Sequence, residues 1–127
     1  MANTVEWIQD SKISCKNAIG DEIIMDWEHG PSPVQLLLQS IAACSIVDVI
    51  GGLSQREVKR AWIEIEAERA ETSPRYLTSL AMKYHVEGAV PQKLVERLVK
   101  ASHEKYCSVS NSLRKDIEIT WQVEIHS

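Results

Sequence analysis

The chain has 127 residues, 44% of them hydrophobic and 25% charged, which suits one globular domain and excludes a disordered or collagen-like chain. Eighteen acidic against fourteen basic residues leave a net charge of −4, the wrong sign for a general nucleic-acid binder. Three cysteines, Cys15, Cys44 and Cys107, are odd in number and far apart, unlike a secreted disulfide scaffold, and no CxxC pair offers a zinc knuckle or a thioredoxin-type motif.

MANTVEWIQD has neither a basic n-region nor an apolar core, so no secretory signal is expected and the protein is predicted to be cytoplasmic. Three short strands come first, at Val5–Ile8, Lys12–Asn17 and Glu22–Asp26, separated by Gln9-Asp10-Ser11 and Gly20-Asp21. Gly30-Pro31-Ser32-Pro33 breaks the chain before a long apolar stretch from Val34 to about Leu53. There Leu36, Leu37, Leu38, Ile41, Ala42, Ile46, Val47 and Ile50 cover nearly every helical face, with Asp48 the only charge. A helix apolar all round is a buried one, so this segment is expected at the centre of the fold or in an oligomer interface, and Gly51-Gly52 is expected to end it. Its length and interruptions argue against a membrane span.

Ile63, Ile65 and Ala67 alternate with Glu64, Glu66 and Glu68, and Leu80, Met82, Tyr84 and Val86 share one face of the next run. This period of two predicts an antiparallel hairpin with one solvated face. Pro91 opens an amphipathic helix to about residue 106, carried by Leu94, Val95, Leu98, Val99 and Ser102, and a short helical piece is expected around Ser108–Arg114. Ile117, Ile119, Trp121, Val123 and Ile125 mark a final strand. Strands and helices are grouped rather than alternating, which predicts an α+β fold in one domain, residues 1–127. So few residues cannot cover an all-apolar helix, and a homodimer that packs two such helices together is the economical solution.

Cys44 sits near the middle of the apolar helix and Cys107 at the end of the amphipathic one. The motifs SPVQLLLQSIAACSIVDVI and YCSVSNSLRK, at this separation and in this element order, resemble the OsmC/Ohr family of thiol peroxidases from Gly30 to the C-terminus. The resemblance implies an OsmC-like fold, antiparallel sheets around a long buried central helix, in an intertwined homodimer with its sites between subunits. It also implies that Cys44 is the peroxidatic thiol and Cys107 the resolving thiol. A Cys44 thiolate would reduce a hydroperoxide, pass through a sulfenate to a Cys44–Cys107 disulfide, and be recycled by an external dithiol.

The chain departs from the family's hydroperoxide enzymes in one respect. Those use an Arg from the N-terminal strands and a Glu at the start of the helix; here the first arginine is Arg56, and Val34 occupies the Glu position. Gln35, adjacent, could hydrogen-bond, and Lys12, Lys16, His29 and Arg75 are candidate replacements for the cation. Asp48, one turn after Cys44, is expected to disfavour the thiolate unless a cation intervenes or it bridges to a basic side chain across the dimer. His103 shares a helical spacing with Cys107 but reads as a solvated helix-end residue. Trp27, Trp62 and Trp121 read as core packing, and Cys15 as an inert thiol. No cofactor, metal, nucleic-acid or membrane partner is expected. The competing expectation is a noncatalytic dimeric domain that binds a small apolar ligand or senses redox state.

Overall fold

A computed structural model describes residues 2–127. The chain divides into two compact units, Met1–Leu37 and Leu38–Ser127, with the division inside the long helix.

In the first unit, β1 (Thr4–Gln9), β2 (Lys12–Lys16) and β3 (Glu22–Asp26) form an antiparallel meander. Asp10, at φ +48°, turns β1 into β2, and its carbonyl accepts a hydrogen bond from Trp7 Nε1 at 3.0 Å. Asp26 closes the sheet: its carboxylate accepts from Ser11 Oγ at 2.7 Å and from the N–H groups of Glu28 and His29, both at 3.0 Å. These bonds, the Ser11 hydroxyl foremost, hold the Asp26 carboxyl well below the usual carboxylate range. Val5, Trp7, Ile8, Ile23, Ile24 and Trp27 stand exposed; Trp27 is therefore not a core residue.

Helix α1 runs from Pro33 to Gly52. Ser32 and Gln35 close a capping box at its start, with Ser32 N–H donating to Gln35 Oε1 at 2.9 Å and Gln35 N–H to Ser32 Oγ at 3.2 Å. Two expectations about this segment are corrected. At 20 residues, about 30 Å, it is long and apolar enough by length and composition alone to cross a membrane. It is also not buried all round. Only Ile41, Ser45 and Val49 are buried, a stripe at spacing i, i+4, i+8, whereas Val47 is 69% and Ile50 41% exposed. A helix apolar on every side must hide its second face against something, and 127 residues of one chain leave part of that face open.

In the second unit, β4 (Val58–Arg69) and β5 (Leu77–Gly88) pair antiparallel over almost their whole length. Leu80, Met82, Tyr84 and Val86 are all buried on one face, as their alternation predicts. Gly88, at φ +152°, lies so close to the backbone of Glu57 that a Cβ would collide with its carbonyl oxygen. Helix α2 (Gln92–Ala101) then carries the chain across to β6 (Glu118–His126), so β6 pairs parallel with β5. The expectation of antiparallel sheets fails at this one strand. A crossover through a helix returns the chain in the direction it left, and only a tight hairpin would have reversed it.

Gly52 at the end of α1 packs so tightly on Leu98 of α2 that a Cβ would collide with Leu98 Cδ2. The amphipathic helix also does not reach residue 106 as an α-helix. After Ala101 it widens into one π-helical turn, Ser102–Tyr106, followed by a 3-10 turn at Ser110–Ser112.

Candidate functional site: two thiols and a buried hydroxyl network

The π turn shifts the hydrogen-bond ladder by one residue, and Cys107 N–H reaches Ser102 O at 2.7 Å rather than the carbonyl of His103. This step turns Cys107 inward, where it is fully buried, and sends the chain into a tight turn. Three successive N–H groups of that turn face sulfur. Ser110 donates to Cys107 Sγ at 3.3 Å, and the N–H groups of Ser108 and Val109 lie beside Cys44 and pull its pKa down. The Ser108 hydroxyl stands 3.8 Å from Cys44 Sγ, and Asn111 Nδ2 clamps the turn through Cys107 O at 2.8 Å. Consecutive N–H groups converging on one point form an anion-binding nest.

The two thiols are therefore neighbours in unlike surroundings. Cys44, half-buried, has its pKa lowered below the ordinary 9.0, chiefly by the Val109 N–H and then by the Cys107 thiol, against a smaller opposing effect of burial. Cys107 has its pKa raised above 9.0 by burial first of all. Of the two, Cys44 is the one shifted toward the thiolate and Cys107 the one shifted toward the thiol. Both are free thiols.

Behind the thiols runs a continuous chain of polar groups. Ser102 Oγ donates to Asp48 Oδ2 at 2.7 Å and meets Ser45 Oγ at 3.0 Å. Ser45 in turn hydrogen-bonds the Tyr84 hydroxyl, which lies 2.7 Å from His103 Nε2, and His103 Nδ1 lies 3.0 Å from Ser110 Oγ. Burial pushes Tyr84 well above the usual tyrosine range, and burial lowers His103, so Tyr84 keeps its proton and His103 is neutral near pH 7. The chain links the α1 segment beside Cys44 to the residue whose N–H holds Cys107. Among the described residues, no buried side-chain nitrogen or oxygen lacks a partner.

Several expected site residues are placed differently. Asp48 faces Ser102 and acts on Tyr84 and His103, and among the described residues of the chain no basic side chain bridges to it. His103 is not a solvated helix-end residue, because the π turn swings its ring between Tyr84 and Ser110. Gln35 is spent on capping α1. His29 is exposed and pairs with Asp26 at 3.4 Å, and Lys16 lies 4.0 Å from Glu22, all inside the first unit. Arg75 donates from Nε to Ala70 O at 3.2 Å in the β4–β5 loop. The groups that lower the Cys44 pKa are, first of all, the uncharged Val109 N–H and the Cys107 thiol. Ser45, Tyr84, Ser102, Ser108 and Val109 were not singled out from sequence, since a backbone N–H leaves no mark there and lone hydroxyls carry no spacing.

Paired thiols on a helix and on the turn after a second helix, in a chain that also forms two three-stranded sheets, define a class of α+β two-thiol proteins. Comparison places the chain within a family. It belongs to the OsmC-like protein family, whose model matches residues 26–122. It is 32% identical to Protein YhfA of Escherichia coli K12 over 98% of each chain. A crystal structure of a hypothetical protein from Aquifex aeolicus VF5 is 35% identical, with a TM-score of 0.85 over 99% of this chain and 97% of that one. The organic hydroperoxide resistance protein OhrB of Bacillus subtilis shares the fold at a TM-score of 0.66 and 17% identity, over 98% of each chain.

Proposed function

We propose that this chain is a two-thiol hydroperoxide reductase of the OsmC type, with Cys44 as attacking thiolate and Cys107 as resolving thiol. The observation that carries the reading is the pair of neighbouring free thiols in unlike surroundings: Cys44, half-buried with Ser108 Oγ at 3.8 Å, has its pKa lowered, and Cys107, fully buried, has its pKa raised. In the first step the Cys44 thiolate attacks the outer peroxide oxygen, the O–O bond breaks, and the alkoxide leaves as alcohol on taking up a proton; Cys44 becomes a sulfenic acid. In the second, the Cys107 sulfur displaces hydroxide from Cys44, the Cys107 proton leaves with it as water, and a disulfide forms. An external dithiol restores both thiols by exchange.

The apolar residues left open on α1, and separately those on the first sheet, support a homodimer, and a family match that crosses the boundary at Leu37 supports reading the whole chain as one domain. The organic hydroperoxide resistance proteins that share the fold support the substrate class. We place the protein in the cytoplasm, where a dithiol pool would recycle it.

Thiol titration of the reduced protein before and after one equivalent of cumene hydroperoxide tests the reaction. Two thiols are lost in the native chain, none in Cys44→Ser, and Cys107→Ser accumulates a sulfenic acid that dimedone traps. Retention of both thiols overturns the proposal. The uncharged hold on Cys44 favours one other reading, a redox sensor that oxidises once without turnover; loss of two thiols with no sustained consumption of peroxide in excess dithiol identifies it.

A further inference from the structure

On the opposite face of the second sheet, away from the thiols, side chains from three strands converge. Trp62 of β4, His85 of β5 and Glu124 of β6 are successive cross-strand partners, and His126 follows Glu124 on the same face. His85 is only 6% exposed, although this face otherwise carries charged residues. Its ring lies flat against Trp62, centroids 4.6 Å apart and planes within 3°, and meets His126 edge to edge, with centroids 5.2 Å apart. His126 lies over the same indole at 5.2 Å, so the two imidazoles sit side by side on Trp62, which fixes both ring planes.

The hydrogen bonds fix its tautomer. His85 Nε2 lies 2.6 Å from Glu64 Oε1, and a carboxylate only accepts, so in the neutral ring Nε2 carries the proton and Nδ1 presents a lone pair. That lone pair faces His126 Nε2 at 3.0 Å, with Glu124 Oε2 at 3.7 Å from the same nitrogen. Donor atoms of His85, Glu124 and His126 all lie within 4.8 Å of one another. A tetrahedral zinc ion with bonds near 2.0–2.1 Å spaces its donors by about 3.3–3.5 Å, so both measured separations are within about 0.4 Å of what it requires.

We infer that His85 Nδ1, His126 Nε2 and one Glu124 oxygen form a binding site for a zinc-class divalent cation, completed by water on the solvent side. Glu64 supplies the carboxylate–histidine support that orients metal-bound imidazoles. Loading needs no net proton release: His126 moves its proton from Nε2 to Nδ1, and the cation takes the place of the hydrogen bond between the two rings. Lys83 is the competitor. Its ammonium lies 3.0 Å from Glu124 Oε2 and must give up that oxygen when the cation enters.

Zinc affinity, measured by competition with a chromophoric chelator, tests the site, with the Co2+ spectrum as a report on ligand type. One ion per chain is expected, with tetrahedral d–d absorption and no thiolate-to-cobalt charge transfer. His126→Gln and Glu124→Gln should each weaken binding by at least the roughly ten- to hundredfold that loss of an outer-shell partner costs, and Cys44→Ser should leave it unchanged. Lys83→Met should tighten binding, an outcome that no loss of folding can imitate. Absence of saturable binding, equal affinity in His126→Gln, or loss of the ion in Cys44→Ser overturns the inference.

Discussion

Tyr84 and His85 are consecutive residues of one strand, and each organises a polar cluster on its own face of the sheet. On the Tyr84 side the polar atoms are short hydroxyls buried between α1, β5 and the π turn, each holding the next. On the His85 side they are rings and carboxylates at the edge of solvent, stacked rather than packed in. Desolvation makes the difference. An orphaned hydroxyl in the first cluster has no water to turn to, whereas a broken pair in the second is rehydrated at little cost.

The largest effect that could break this contrast is at Tyr84. Tyr84→Ala should cost about 3–5 kcal/mol through lost packing, and Tyr84→Phe about 1–3 kcal/mol by stranding Ser45 and His103, both read from urea unfolding. If Tyr84→Phe proves neutral, the hydroxyl chain contributes nothing to the fold and the contrast is wrong.

Second comes the sulfur nest. Val109 has φ −69°, already suited to proline, so Val109→Pro should delete the N–H with little backbone cost. In the native chain, iodoacetamide should label Cys44 well before Cys107, with a midpoint below pH 9.0. In Val109→Pro that midpoint should move up toward 9.0 and labelling at pH 7 should slow. An unshifted midpoint would mean that the Val109 N–H is not what holds the thiolate.

A third, smaller effect is pH-dependent. His103 is neutral in the folded chain because its pKa lies below 6.5, its value when exposed. The unfolded chain therefore binds more protons in the window below 6.5, and stability present above that pH is lost as pH falls through it. Melting temperatures from pH 7.5 to 5 should show the decline, and His103→Gln should flatten its share of it. The smallest effect belongs to the other face. Glu124→Gln, at a side chain 47% exposed, should cost under about 1 kcal/mol in metal-free protein, and a loss as large as that of Tyr84→Phe would erase the distinction between the faces.

The alternation around Tyr84 was legible because a strand side chain's facing depends only on its neighbours' spacing. The burial of His103 was not. It follows from one π turn, an insertion that moves Cys107 into hydrogen-bond register with Ser102 and cannot be read from i, i+4 spacing. The direction of β6 was equally hidden, since its own pattern is the same in a parallel or an antiparallel pair.

The sequence by itself determined the element order, the buried face of β5 and, through motif resemblance, which two of three cysteines to watch, because periodicity and local chemistry are short-range properties. Only the tertiary structure decided that backbone N–H groups of the turn after Cys107 lie beside Cys44, and that His85, Glu124 and His126 meet at one point. Those depend on backbone donors and strand register, and residues 39 to 65 positions apart become neighbours only when the chain has folded.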